Sequence, residues 1–213
     1  MGLTIYKNRL EAGQILAHEL MIFKNDHPVI LALPRGGIPI AAPIVKQLNT
    51  DFDIIIPRKI GAPYNEEVAI GSVTEEGHAI LNQSLIERLA VPDSYIEQAT
   101  LKQVQEIKRR LNTYRQGRAP IKLEGRVVIL VDDGIATGYT MHAAIQSVQH
   151  QNPKKLIIAV PVAPPETVDT LTELIDAVVC PLQVIHFQAV GQFYDEFNQV
   201  SDEEVSELLK IIV

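Results

Sequence analysis

The 213-residue sequence has no tryptophan and a single cysteine, Cys180. One thiol excludes a disulfide framework within the chain, and its setting in the apolar run DAVVCP reads as a buried strand thiol rather than a reactive one. Metal-ligand patterns are missing as well. The six histidines form no HxxxH pair and stand beside no cysteine at ligand spacing, which argues against a dedicated zinc site. No GxxxxGK[ST] loop exists to accompany a Walker-B-like acid, and no GxSxG elbow marks a hydrolase serine. Apolar runs of membrane-spanning length without a charge or proline are absent, so no membrane partner is expected. The start MGLTIYKNRLEAG lacks an apolar signal core, and Tyr6 stands where a myristoylation signal needs Ser or Thr. The expected location is therefore the cytoplasm. A net charge of −7 argues against nucleic acid as the main partner.

The richest stretch is VVILVDDGIATGYT, Val127 to Thr140. Five successive apolar, mostly β-branched residues predict a strand covered on both faces, as in a parallel sheet. Asp132 and Asp133 then stand at its carboxyl end. The small residues Gly134, Ala136, Thr137, Gly138 and Thr140 form a turn, and Met141, Ala144, Ile145 and Val148 carry helical spacing beyond it. A Gly/Thr loop entering a helix is suited to phosphate, because the first N–H groups of a helix lack internal partners and lie at the positive end of its dipole. Aspartates before such a loop can accept hydrogen bonds from sugar hydroxyls and can help to place a hydrated magnesium ion. Together these features suit a ribose 5-phosphate lying along the loop.

This stretch resembles the PRPP-binding signature of the type I phosphoribosyltransferases, in which an apolar strand precedes two acids and a T-G-x-T loop. The tail together with DDGIATG and PRGG is similar to a group of bacterial phosphoribosyltransferases, and the likeness covers nearly the whole chain. The resemblance implies an α/β fold with a mostly parallel central sheet and helices on both faces. It also implies substrate contacts from Asp132, Asp133, Gly134, Ala136, Thr137, Gly138, Tyr139 and Thr140. Arg35, Gly36 and Gly37, in the PRGG turn after the apolar strand PVILAL, correspond to the pyrophosphate loop. Arg58 and Lys59 follow a further strand, Phe52 to Pro57, and are similar to a basic pair that serves the pyrophosphate side. Arg35, Lys59 and Asp133 are the expected catalytic residues.

The remaining chain supplies further expectations. Asn8 and Glu11 should start a helix from Arg9 to about Phe23, with Leu10, Ile15, Leu16, Leu20 and Phe23 on its covered face. Gly61 to Glu67 has loop chemistry, and VAIGSV with HAIL suggests a strand pair around Glu75, Glu76 and Gly77. Capping boxes at Ser84/Glu87 and Ser94/Glu97 open a helical insertion over roughly 84–117 of a single domain. Its apolar seam runs through Leu101, Val104, Ile107, Leu111 and Tyr114, packed on the chain itself or on a second copy. Lys108, Arg109, Arg110, Arg115 and Arg118 form a basic run on the same segment. A hood over roughly 181–213 contains Phe193 and Tyr194, whose rings could stack on a nitrogenous base or could pack the last helix. Ser201 and Glu204 cap that helix.

The resemblance implies a transferase of nucleotide metabolism that moves ribose 5-phosphate from PRPP to a base with release of pyrophosphate, with Mg2+ arriving on the substrate. Ile135 and Ala136 stand where the 6-oxopurine enzymes carry an acid, which argues against a hypoxanthine or guanine enzyme of the usual kind. The rival class is a non-catalytic PRPP or nucleotide sensor. The absence of a helix-turn-helix module and the acidic balance count against that rival.

Overall fold

A computed structural model of the chain describes residues 6–74 and 77–212. The first elements are α1 (Arg9–Glu19), a 3-10 segment (Leu20–Asp26), β1 (Val29–Ala32), α2 (Gly37–Leu48) and β2 (Asp51–Ile54). Next come β3 (Arg58–Ala62), β4 (Asn65–Val73), β5 (Ala79–Leu81), α3 (Gln83–Arg88) and α4 (Asp93–Arg115). The chain continues through β6 (Val127–Val131), α5 (Tyr139–Gln149), β7 (Lys155–Ala159), β8 (Val162–Ala163) and α6 (Pro165–Thr172). It closes with β9 (Ala177–Val179), β10 (Leu182–Gln183), a 3-10 turn (Val190–Phe193) and α7 (Asp202–Ile212). Two compact units result: one from the described residues of Met1–Ile55, Pro120–Gly138 and Gln151–Val213, the other from those of Ile56–Ala119 and Tyr139–His150.

The first unit holds a five-stranded sheet in the order β2-β1-β6-β7-β9, parallel throughout. Every residue of β1 and β6 is buried, which is why their sequences are continuously apolar rather than alternating. The expected parallel α/β sheet is present. Strand order reverses between β1 and β6, because β2 lies on one side of β1 while the later strands extend on the other. The carboxyl ends of β1 and β6 therefore flank a topological switch point, where open α/β sheets bind ligands.

Helix α1 starts where Asn8 predicts, with the Asn8 side chain accepting from the Glu11 N–H at 3.1 Å. Leu16 and Leu20 are buried as expected, but the rest of the covered face differs. Ala12, Gly13, Leu16 and Ala17 are buried, whereas Leu10 and Ile15 are 52% and 39% exposed. The cause is close packing on α2: a Cβ on Gly13 would collide with the Ile40 carbonyl and the Pro43 ring. Small residues set the closest approach. The helix also ends earlier than expected and continues as the 3-10 segment.

The second unit is built on a three-stranded antiparallel sheet, β3-β4-β5. The expected pairing of VAIGSV with HAIL occurs as Gly71↔Leu81, Ser72↔Ile80 and Val73↔Ala79; Glu75 and Glu76 lie outside the described residues. The GAPYNEE stretch is not an open loop. Ala62 pairs with Asn65, so Pro63 and Tyr64 are a two-residue hairpin turn. The first helical cap is Asn82, which accepts from the Leu85 N–H at 3.1 Å, rather than Ser84. Helix α4 begins after Pro92 with no side-chain cap, so Ser94 is not its cap either. Gln116 and Gly117, both at positive φ, end it. The buried face of α4 is Ile96, Ile107, Leu111, Tyr114 and Arg115, while Leu101 is exposed. The basic run is largely engaged: Arg109 and Arg110 pair with Glu106, Arg115 is buried, and Arg118 donates to the Arg115 carbonyl. Among the described residues, no helix is long and apolar enough to cross a membrane.

Candidate ribose-phosphate site

The residues after β1 and β6 meet directly at the switch point. Ala32 is in register with Val131, and the Leu33 N–H continues the ladder to the Val131 carbonyl at 2.9 Å. The chain then turns through Pro34, Arg35 and Gly36, with a cis Pro34–Arg35 peptide, and the Gly37 N–H closes the turn on the Leu33 carbonyl at 2.9 Å. Both glycines are required by what lies opposite. A Cβ on Gly36 would collide with the Asp133 carboxylate, and one on Gly37 would stand 2.5 Å from the Val131 carbonyl oxygen and 3.1 Å from the Asp132 Cα. The glycine turn and the acid pair thus form one packed edge.

The two acids are unlike each other. The Asp132 Oδ1 accepts the Asp133 backbone N–H at 2.8 Å. Burial, and then the adjacent Asp133 charge, raise the Asp132 carboxyl well above the ordinary range. Burial also raises Asp133, but Arg9 opposes that shift. The Arg9 Nε lies 2.8 Å from the Asp133 Oδ2, with both side chains mostly enclosed. Its Nη1 donates to the Asn198 carbonyl at 2.8 Å, and its guanidinium carbon sits 3.8 Å from the Phe197 ring centroid. Tyr194 completes the support, its hydroxyl donating to the Asp133 carbonyl at 2.6 Å. Burial, and then the Asp133 charge, raise the Tyr194 phenol, which keeps it a donor.

Beyond the acids the loop is anchored at alternate points. Gly134 has φ of 157°, and a Cβ there would meet Val190 Cγ1 at 2.7 Å and Val162 Cγ1 at 3.0 Å. Ile135 is buried and its N–H binds the Val162 carbonyl at 3.0 Å. The Ala136 carbonyl accepts from the Thr167 hydroxyl at 3.0 Å. Ala136 and Thr137 themselves are exposed, and Gly138, at φ 77°, leads straight into α5. Tyr139 and Thr140 are exposed in the first turn of that helix.

The sequence-predicted residues divide accordingly. Arg35, Gly36, Gly37, Asp132, Asp133, Gly134, Ala136, Thr137 and Gly138 belong to the first unit, and Arg58, Lys59, Tyr139 and Thr140 to the second. Arg35 is partly exposed and stands 3.9 Å from Asp202 at the start of α7, a distance at which an exposed pair is weak. Arg58 and Lys59 open β3, so as neighbours on a strand they point to opposite faces. Arg58 is directed to α4, its Nε donating to Gln103 at 2.7 Å. Phe193 and Tyr194 are 3% and 5% exposed. Their rings pack against Phe187 and against Tyr6 and Phe197 respectively. They support the acid loop from within the protein rather than offering a free face to a base.

Arg9 was missed by sequence reasoning, since 124 positions separate it from Asp133. One signal was present. A cation directly after an N-cap sits at the positive end of the helix dipole, where it is disfavoured. Such a local conflict marks a residue held there by something distant.

The fold and this edge define an α/β protein whose candidate ligand site lies at the sheet's switch point. The chain belongs to the phosphoribosyl transferase domain family, whose model matches residues 5–197. Two Mycobacterium tuberculosis proteins provisionally named phosphoribosyl transferases are 37% identical to it over 203 residues, covering 95% of this chain and 46% of theirs. The chain thus spans about half the length of those relatives. The crystal structure of TT1426 from Thermus thermophilus is similar throughout, at 37% identity and a TM-score of 0.87, covering 96% of this chain and 97% of that one.

Proposed function

We propose that the protein is a phosphoribosyltransferase that binds PRPP at the β1/β6 edge and transfers its ribose 5-phosphate to a nitrogen nucleophile. The observation that carries this reading is the contact of the glycine turn, Gly36 and Gly37, with the acid pair, Asp132 and Asp133. It brings a glycine backbone and a nearby guanidinium, suited to phosphate oxygens, beside carboxylates suited to ribose hydroxyls. The loop through Ala136, Thr137 and Gly138 would receive the 5-phosphate, with the first N–H groups of α5 and the Thr140 hydroxyl as donors.

In the reaction the bond from the anomeric carbon to the diphosphate oxygen breaks, and a bond from that carbon to nitrogen forms. The diphosphate leaves with the electron pair, and the attacking nitrogen loses its proton. Asp132 and Asp133 would hold the ribose hydroxyls while positive charge develops on the ring, as in glycoside chemistry. Arg35 would bind the departing diphosphate.

Magnesium fits as a companion of the substrate. Among the described residues, no group of three or more His, Cys, Asp or Glu could hold a metal ion, and Mg2+ commonly keeps its waters and binds substrate phosphates. When bound on the diphosphate it would offset negative charge on the leaving group. The test is turnover: pyrophosphate release from PRPP with magnesium across a panel of purine, pyrimidine and pyridine bases. A base-dependent burst of pyrophosphate supports the reading; tight PRPP binding without release for any base contradicts a transferase.

A further inference from the structure

The geometry points to Arg9 as a positioning residue for the ribose side of the site, acting through Asp133 and held in place by Phe197 and Asn198. This rests on the proposal that Asp132 and Asp133 hold ribose. Two adjacent carboxylates beside a polyanionic sugar phosphate would repel both each other and the ligand. Arg9 offsets one of them at 2.8 Å.

Geometry then adds direction. Arg9 takes only one Asp133 oxygen, Oδ2, and its Nη1 is directed to the Asn198 carbonyl. A guanidinium fixed at both ends and lying on the Phe197 ring cannot follow the carboxylate if it rotates. The carboxylate is therefore set in one orientation, and its other oxygen, Oδ1, remains for a ligand hydroxyl. Phe197 is in turn fixed by Gly191, where a Cβ would meet its ring at 2.7 Å. The Asp195 and Glu196 N–H groups tie this segment to the Tyr6 and Lys7 carbonyls at 3.0 and 2.9 Å. The two ends of the chain thus converge on one carboxylate. The aromatics from Phe193 to Phe197 serve ribose orientation, not base stacking.

The test is a double-mutant cycle on ligand binding, using Arg9→Gln, Arg9→Lys, Asp133→Asn and the Arg9→Gln, Asp133→Asn double variant. The probes are ribose 5-phosphate, magnesium PRPP and magnesium pyrophosphate. Arg9→Gln should weaken ribose 5-phosphate and PRPP by about tenfold or more, the scale of a lost charge-assisted hydrogen bond. Pyrophosphate should be unaffected. Arg9→Lys should recover part of the loss, because it restores charge but not the fork, and Arg9→Gln should add nothing once Asp133 is Asn. Equal loss for all three probes, or additive losses in the double variant, would make Arg9 a structural residue only and overturn the inference. Wild type that binds PRPP with Arg9→Gln indistinguishable from it overturns the inference alone. Wild type that binds neither sugar phosphate overturns the functional reading with it.

Discussion

The acid edge of the first unit and helix α4 of the second hold their charges by different means. In the first, charge is enclosed: Asp133 and Arg9 are mostly buried together, Asp53 is buried with its carboxylate accepting the Ile54 and Ile121 N–H groups, and the strands β1 and β6 are wholly apolar and buried. In the second, the long helix α4 buries only a narrow face and carries its ion pairs outside, Glu106 with Arg109 and Arg110 at 2.8 and 2.7 Å. Enclosed charges must be matched by geometry, because an unmatched one is costly. Exposed pairs contribute little and can be lost freely. Sensitivity to substitution should therefore concentrate at the β1/β6 edge.

The largest expected effect sharpens this contrast within the acid pair itself. Asp132→Asn should weaken PRPP binding by about a hundredfold, on the scale of hydrogen bonds lost from a charged group in the site. The fold should become no less stable, since burial and Asp133 both penalise the Asp132 charge. Asp133→Asn should weaken binding similarly but lower the melting temperature, because Arg9 loses its buried partner. Calorimetry and thermal melts read both. A pH series adds a sign. Because the folded Asp132 holds its proton more tightly than the unfolded one, its contribution to stability is full below about pH 4 and falls as pH rises through the raised value. Asp132→Asn should flatten that slope.

Next in size is Gly36→Ala. Its Cβ would displace the Asp133 carboxylate, so PRPP affinity should fall at least tenfold, with about 1–3 kcal/mol of stability lost to overpacking. Unchanged binding would break the claim that turn and acids are one edge. Tyr194→Phe removes the donor to the Asp133 carbonyl and should cost about 1 kcal/mol by denaturant titration. Smallest is Glu106→Gln in the second unit. Arg109 and then Arg110 hold the Glu106 carboxyl down to about 2, but solvent screening should limit the loss to about 0.5 kcal/mol. That loss should vanish as pH falls from the ordinary carboxylate range through about 2. A loss of several kcal/mol would erase the contrast between the units.

The sequence disclosed the features governed by short-range pattern. Continuous apolar runs marked β1 and β6, the acids and small residues marked the loop after β6, and Ser201 with Glu204 marked the cap of α7, seen as reciprocal bonds of 3.1 and 2.8 Å. What stayed hidden depends on distant partners. Gly13 lets α1 approach α2 by its small residues, so periodicity of large side chains found Leu16 and Leu20 but also took in the exposed Leu10 and Ile15. That Arg58 and Lys59 themselves open a strand stayed hidden because nothing local shows that β3 pairs with β4. Asn82 outcompetes Ser84 as a cap because the helix starts two residues earlier. Arg9 and Phe197 reach Asp133 only through the folded chain.

The most direct test of the central claim is calorimetric titration of the wild type with PRPP, with and without magnesium, beside the Asp132→Asn, Asp133→Asn double variant. Magnesium-dependent binding by the wild type that is lost in a folded variant is the predicted result. A well-folded wild type that does not bind PRPP, or a double variant that binds it equally well, would contradict the assignment of the β1/β6 edge as a ribose-phosphate site.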